Sequence, residues 1–427
     1  MSAAPVSPAA ATPTAPPRPG RAERLIVPGN FITCLGNGIQ LDATSVLLVR
    51  ADKATLAVGW LFIVVAIPQV LLSWWFGRVA DRYDRRLLCL LCDLTSALAA
   101  LALPVWLILG GPASTSSYLT NLVLAAVAGL FMPASNALIK ERVPRARLGR
   151  FNSHFEISTQ AGTLLSAAAG GFMIQLYGVK PLLFFNAATF LASALFWIAL
   201  GRRPAHSPGT PGRPATAATG PGAPPAARPS RPAPLAWLGL LYGSGQLVIT
   251  ASNTLLVVLI LEAFHRGPGY LGLVDTFAGI GVMLAAAVFP RVSSRIRGPR
   301  LAFLGMLGSA ACMACEPFNV YATMAIIFVS GVCFGLGRIS ARTLLMSAVD
   351  EGRAGKVFGA TNAFALGFGA VVTIGLSEVS DHATVKAGFL CLAAVTALTV
   401  CVASLAIRRA GRAALGSPET VRPPLAG

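Results

Sequence analysis

Acidic residues are scarce in this 427-residue chain, which has 16 Asp and Glu against 34 Lys and Arg, and only 12% of its residues carry a charge of either sign. Soluble domains devote roughly a quarter of their residues to charge, so an ordinary water-soluble fold is excluded. Histidine is scarcer still. His154, His206, His265 and His382 are scattered along the chain, which leaves no cluster of acids, histidines or metal ligands at one depth for a membrane-embedded enzyme. No enzymatic activity, cofactor or metal site is therefore expected. The eight cysteines include two CxxC pairs, Cys89 with Cys92 and Cys312 with Cys315. Each pair lies in an apolar run without a nearby histidine or third thiol, and reads as small helix residues in a reducing compartment. A phosphate-binding loop is also missing: Gly355 and Lys356 are followed by Val357 and lack the upstream glycine. This argues against ATP hydrolysis by the chain itself. Residues 1–26, rich in Ala and Pro, lack the apolar core and cleavage site of a secretory signal and are expected to form a disordered cytoplasmic tail.

What the chain does have is apolar length. It is 55% hydrophobic, with a mean hydropathy of +0.69, and a bilayer core takes roughly 20 apolar residues per crossing helix. Six windows qualify at 27–49, 54–76, 87–109, 118–139, 152–177 and 181–200. Six more follow at 235–261, 271–289, 301–315, 320–339, 357–377 and 384–407. The fold class expected is all-α, a polytopic membrane protein of twelve transmembrane helices in two six-helix bundles, 27–201 and 235–408, with a tail at 409–427. Between the bundles, residues 202–234 contain no Leu, Ile, Val, Phe or Met. Such a segment cannot build a core and reads as a flexible cytoplasmic linker.

The net charge of +18 could suggest a nucleic-acid partner, but the basic residues occupy the short gaps between apolar runs. With the N-terminus inside, nearly all of them fall on the inner side, leaving Arg50, Lys53, Lys180, Arg266 and Lys386 outside. The positive-inside rule then places both termini in the cytoplasm. The partner is the lipid bilayer of the cell membrane rather than nucleic acid.

The two halves share a repeat. VPRARLGR, ending at Arg150, matches VDEGRAGK, ending at Lys356, with Val143, Arg147 and Gly149 each recurring 206 positions later and Arg150 answered by the equally basic Lys356. A weaker echo pairs Arg78, Val79 and Arg82 with Arg291, Val292 and Arg295. Transporters built from two similar halves carry such parallel repeats, with the substrate path between the halves.

Between the second and third helices, GRVADRYDRR presents Gly77, Asp81, Arg82, Arg85 and Arg86 at the spacing of a loop signature. It resembles that of the major facilitator superfamily. Asp81 lies at the level where helix 11 begins and presents its positive dipole end, so an acid there would latch the halves together at the cytoplasmic gate. The segments SHFEISTQAGTLLSAAAGG and LLFFNAATFL look like helices 5 and 6 of drug-exporting members, notably the macrolide and siderophore exporters. Two departures stand out: Asp84 occupies a position that is often glycine, and helix 5 keeps Gly162, Gly170 and Gly171 but lacks the Gly-Pro of the exporter signature.

Helix 1 carries Asn30, Thr33, Asn37, Gln40 and Thr44 on one stripe, and helix 7 carries Tyr242, Gln246, Thr250 and Asn253 on one face. The resemblance implies that both helices line a central cavity, which makes Asn37, Gln40, Thr44, Tyr242, Gln246, Thr250 and Asn253 the candidate cavity residues. Hydrogen bonds between helices are the other reading of the same stripes. Asp42, Glu156 and Asp275 are intramembrane acids that could carry a coupling proton, or could be interface or helix-end carboxylates. Arg338, near the inner end of its window, reads as a snorkelling side chain. The expected function is secondary active transport, proton-coupled efflux of an amphiphilic small molecule by a monomer. Import of a nutrient is the alternative, since efflux rests on the resemblance alone.

Overall fold

The computed structural model describes residues 20–52, 56–201, 235–266 and 268–415. Among these, twelve long helices carry the architecture and no strand occurs: α1 (Arg21–Asp52), α2 (Leu56–Arg82), α3 (Arg85–Ile108), α4 (Ala113–Arg142), α5 (Leu148–Tyr177), α6 (Val179–Leu200), α7 (Leu235–Val258), α8 (Pro268–Arg295), α9 (Gly298–Cys315), α10 (Val320–Ala348), α11 (Ala354–His382) and α12 (Val385–Leu415). Ten of them are long and apolar enough to cross a membrane, and α2 and α5 are of similar length in the same assembly.

Several helices outrun their apolar windows at the end of the molecule that carries the basic loops, called here the basic face. Helix α10 continues to Ala348 rather than Ile339, and α12 to Leu415 instead of stopping near residue 408. Residues 21–26, expected within a disordered tail, form the first turns of α1. There Arg21 donates to the Ala199 carbonyl at 2.8 Å, Glu23 pairs with Arg147 at 2.8 Å, and Ile26 is buried. Hydropathy marks only where a helix meets hydrocarbon, whereas backbone hydrogen bonding carries it on into the charged interface. The remainder of the expected tails and the linker, at 1–19, 202–234 and 416–427, lies outside the described residues.

Packing follows one scheme twice. In the first six helices α1 packs on α5 and α6, α4 on α2 and α3, and α3 on α6. The last six repeat each of these pairs: α7 on α11 and α12, α10 on α8 and α9, and α9 on α12. The pairs that join the two sets are also mates of one another, α2 with α11 matching α8 with α5, and α4 with α11 matching α10 with α5. A pseudo-two-fold axis therefore relates the halves. Small residues set the closest approaches, as where α9 and α10 meet at Gly305 and Gly337. A Cβ on Gly305 would lie 2.5 Å from the Gly337 nitrogen, so any side chain there would force the helices apart.

Candidate functional site: a central cavity closed at the basic face

The two halves are bonded to each other at the basic face. Asp81, at the end of α2, accepts hydrogen bonds from the Gly355 and Lys356 amides at 2.7 and 2.8 Å. The first turn of α11 offers unpaired N–H groups and positive dipole density to that carboxylate. Gly77, one turn back, lets α2 come this close, since a Cβ there would sit 2.7 Å from the Gly355 carbonyl oxygen. Asp84 has a different task. It caps α3, accepting from the Arg86 and Leu87 amides at 2.9 and 3.1 Å, so the two loop acids serve different helices. Arg85 pairs with Glu141 at 2.9 Å, Arg86 donates to the Trp197 and Ile198 carbonyls, and Arg82 is exposed.

Further in, Arg342 of α10 donates to Asn136 of α4 at 2.8 Å and lies 4.2 Å from the centroid of the Phe155 ring. Lys140 donates to the Met346 carbonyl, and Asn152 to the Thr343 hydroxyl at 2.9 Å. On the other seam Gly149 faces the Phe289 ring, which a Cβ would approach to 3.3 Å.

Above this closure lies a cavity of about 440 Å³ between α5 and the helices α7, α8, α9 and α10. Its wall is largely apolar, with Leu164, Val248, Ile249, Leu256, Val282 and Phe334 among its lining. Glu156 and Arg338 contribute charge toward the basic face, and Asp275 and Glu316 toward the far face. A smaller pocket of about 40 Å³ lies at the seam between the halves, lined by Asn136, Tyr242, Gln246, Arg338 and Asn362.

The structure distributes the residues singled out in the sequence unevenly. Glu156, Asp275 and Asn253 line the cavity, and Tyr242 and Gln246 line the smaller pocket; Thr250 lines neither. The α1 stripe turns mostly into its own half. Asn30 bonds Ser158 and Thr159, Thr33 bonds Ser193, Gln40 accepts from Asn186 at 2.7 Å, and Thr44 bonds back to the Gln40 carbonyl. Gln40 and Thr44 are buried and do not reach the cavity, because Gln40 answers Asn186 on α6 and Thr44 bonds back to the α1 backbone. Asn37 is exposed and borders a pocket of about 30 Å³ with Thr33, Asp93 and Ser96. Gly162 is where α5 crosses α1, with the Phe31 carbonyl 2.7 Å from a hypothetical Cβ. Asp42 falls in α1, and Gly170 and Gly171 fall in α5; the Asp42 side chain lies outside the described set.

Three charged groups gain a place that the sequence reading did not give them. Arg338 does not snorkel: α10 runs ten residues beyond it, about 15 Å of helix, and its side chain borders both the cavity and the seam pocket. Asp93, about two turns into α3, is 2% exposed and accepts from the Trp197 indole at 2.6 Å. Glu316, just past the end of α9, is fully buried.

Two matched six-helix halves around a central cavity, joined at one face by helix pairs that are themselves symmetry mates, define a polytopic membrane transporter. Residues 26–374 match the model of the Major Facilitator Superfamily, and the chain belongs to that family. It is 25% identical over 347 residues to the uncharacterized MFS-type transporter YfiS of Bacillus subtilis (strain 168), covering 77% of this chain and 79% of that relative. The multidrug resistance protein MdtG of Citrobacter koseri (strain ATCC BAA-895 / CDC 4225-83 / SGSC4696) is 28% identical over 144 residues, about a third of each chain. In fold the chain is similar to a bacterial homologue of the iron transporter ferroportin in its outward-facing state, with a TM-score of 0.72 and 16% identity over 92% of this chain and 100% of that one.

Proposed function

We propose that the chain is a proton-coupled exporter of an amphiphilic, neutral or cationic small molecule. The observation that carries this reading is the cavity: an apolar chamber of drug-sized volume in which three acids, Glu156, Asp275 and Glu316, face a single base, Arg338. A polyanionic cargo would need several basic groups there, and apolar walls favour a lipophilic body. In this reading the basic face is cytoplasmic, the two six-helix bundles flank the linker at 202–234, and the protein works as a monomer. The conformation described is then outward-facing, with Gly77, Asp81, Arg82, Arg85 and Arg86 forming the closed inner gate. The partial likeness to MdtG supports drug-like cargo.

The test is a flux assay in energised inside-out vesicles with a panel of lipophilic cations and neutral amphiphiles. Accumulation that collapses when the pH gradient is dissipated is the expected result, and no movement across the whole panel would overturn the proposal. Gene deletion tests direction: loss of an exporter sensitises cells or traps product, whereas starvation would point to import.

A further inference from the structure

The turn between α9 and α10 is built inside out. Phe318 and Tyr321 are 77% and 67% exposed, while Glu316, the acid among them, is 0% exposed. Aromatic side chains suit the membrane interface at a helix end, but a buried carboxylate there does not explain itself. The turn has no structural need of it. Asn319 caps α10 by accepting from the Tyr321 and Ala322 amides, and the Thr323 hydroxyl donates to the backbone carbonyl of Glu316. With its backbone thus held, the Glu316 side chain turns inward onto the cavity wall beside Met313, Ile327 and Ser330. Neither carboxylate oxygen makes a well-formed hydrogen bond among the described residues, and the Ser330 hydroxyl is the polar group that stands by it.

We infer that Glu316, with the Ser330 hydroxyl beside it, is a proton-loading site in the wall of the second half, distinct from the cavity-floor acid Glu156. The groups around it leave a proton as the natural occupant. From α9 comes Cys312, from α10 comes Ser330, and from α8 comes Asp275, across the same cavity. None of these is a cation. The nearest base on α10, Arg338, stands eight residues beyond Ser330, about 12 Å along the helix. An unpaired carboxylate in such surroundings is strongly disfavoured, and the group remains neutral by holding a proton on one oxygen. Burial pushes its carboxyl up to about 7, with Ser330 offsetting part of the rise. The Ser330 hydroxyl, held by Ser309 at 3.3 Å, can accept the carboxyl O–H. Loading adds one proton to the carboxylate and discharge returns it to water, with no other bond changed.

As a coupling group Glu316 rests on the transport reading above, but its protonation can be read without any cargo. In the full-length purified protein, infrared difference spectra titrated across neutral pH should contain the carbonyl band of a protonated buried carboxyl, lost in E316Q and displaced in midpoint in E316D. In vesicles, E316Q should lose gradient-driven flux while retaining cargo exchange at equal pH. An unchanged band in E316Q, or a wild-type midpoint in E316D, overturns the site, and so does gradient-driven flux that survives in E316Q. If E316Q fails to give a monodisperse protein, the E316D midpoint decides. If the wild-type protein moves no cargo, the exporter reading falls, whereas the infrared result still judges Glu316.

Discussion

Asn136 and Arg342 occupy equivalent positions in the two halves, 206 residues apart, and hydrogen-bond to each other at 2.8 Å. Lys140 reaches the Met346 carbonyl across the same interval. Residues related by the repeat can touch only where the pseudo-two-fold axis passes between them, so the axis runs through the closure of the basic face. Arg342→Ala should weaken that closure by about 2 kcal/mol, the scale of a hydrogen bond to a charged group. Accessibility of introduced cysteines from the basic face would report the opening. The double exchange Asn136→Arg with Arg342→Asn should recover only part of it, because the mate of Phe155 is Thr361, which offers the transplanted guanidinium no ring.

Asp81→Asn keeps the shape of the latch and removes its charge. One charge-assisted bond to the start of α11 becomes an ordinary one, and the other is lost because the amide NH2 faces a backbone N–H, at a cost of about 3 kcal/mol to the closed basic face. Cargo binding should persist while turnover slows, which equilibrium binding and flux measured on the same preparation would separate.

Arg338→Ala should reduce cargo affinity or flux, because the side chain borders the cavity. Arg338→Lys should restore it in part, since the charge returns without the planar fork. A headgroup-anchoring arginine would tolerate both changes, so wild-type flux in the Ala variant would contradict the placement.

Glu156 is 4% exposed and shares the cavity floor with Arg338, whereas Asp275 is exposed nearer the far face. Glu156→Gln should abolish gradient-driven flux. Asp275→Asn should leave most of it, because its side chain lies toward the far face, away from the closure where the two halves meet.

Glu316 also predicts a pH dependence of stability. Its folded value of about 7 lies above the ordinary 4.5, so the folded state holds a proton that the unfolded state releases between those limits. Stability is full below 4.5, declines as pH rises through the window and levels off above about 7. The melting temperature of the wild-type protein should fall across this range, and that of E316Q should fall less.

The helices and the contact of Asp81 with the start of α11 were legible because each leaves a one-dimensional mark. Twenty apolar residues announce a crossing, and the loop holding Asp81 has a distinctive spacing placed where α11 begins. The cavity was less legible. Gln40 and Thr44 share a stripe with Asn37, but a stripe does not reveal whether its polar groups will meet another helix first, and Asn186 answers Gln40. Arg338 was misplaced because an apolar window ends at the first run of polar residues, whereas α10 goes on to Ala348. Glu316 was hidden by its position between Cys315 and Pro317, which reads as an ordinary outer turn. The exception within the apolar windows is Asp93, whose signal was plain: the lone acid of α3.

Gly149 and Gly355 are mates in the repeat, yet they meet different neighbours. Gly355 donates its amide to a carboxylate, whereas Gly149 rests on the Phe289 ring, and the counterpart of Asp81 in the weaker echo is Ser294, which bonds only within its own turn. One edge of the closure is thus fastened by polar bonds of fixed direction, and the other by a greasy contact that can slide. Rocking between the two halves should pivot about the α2–α11 edge and part first along α5 and α8, giving a near-symmetric molecule a lopsided stroke.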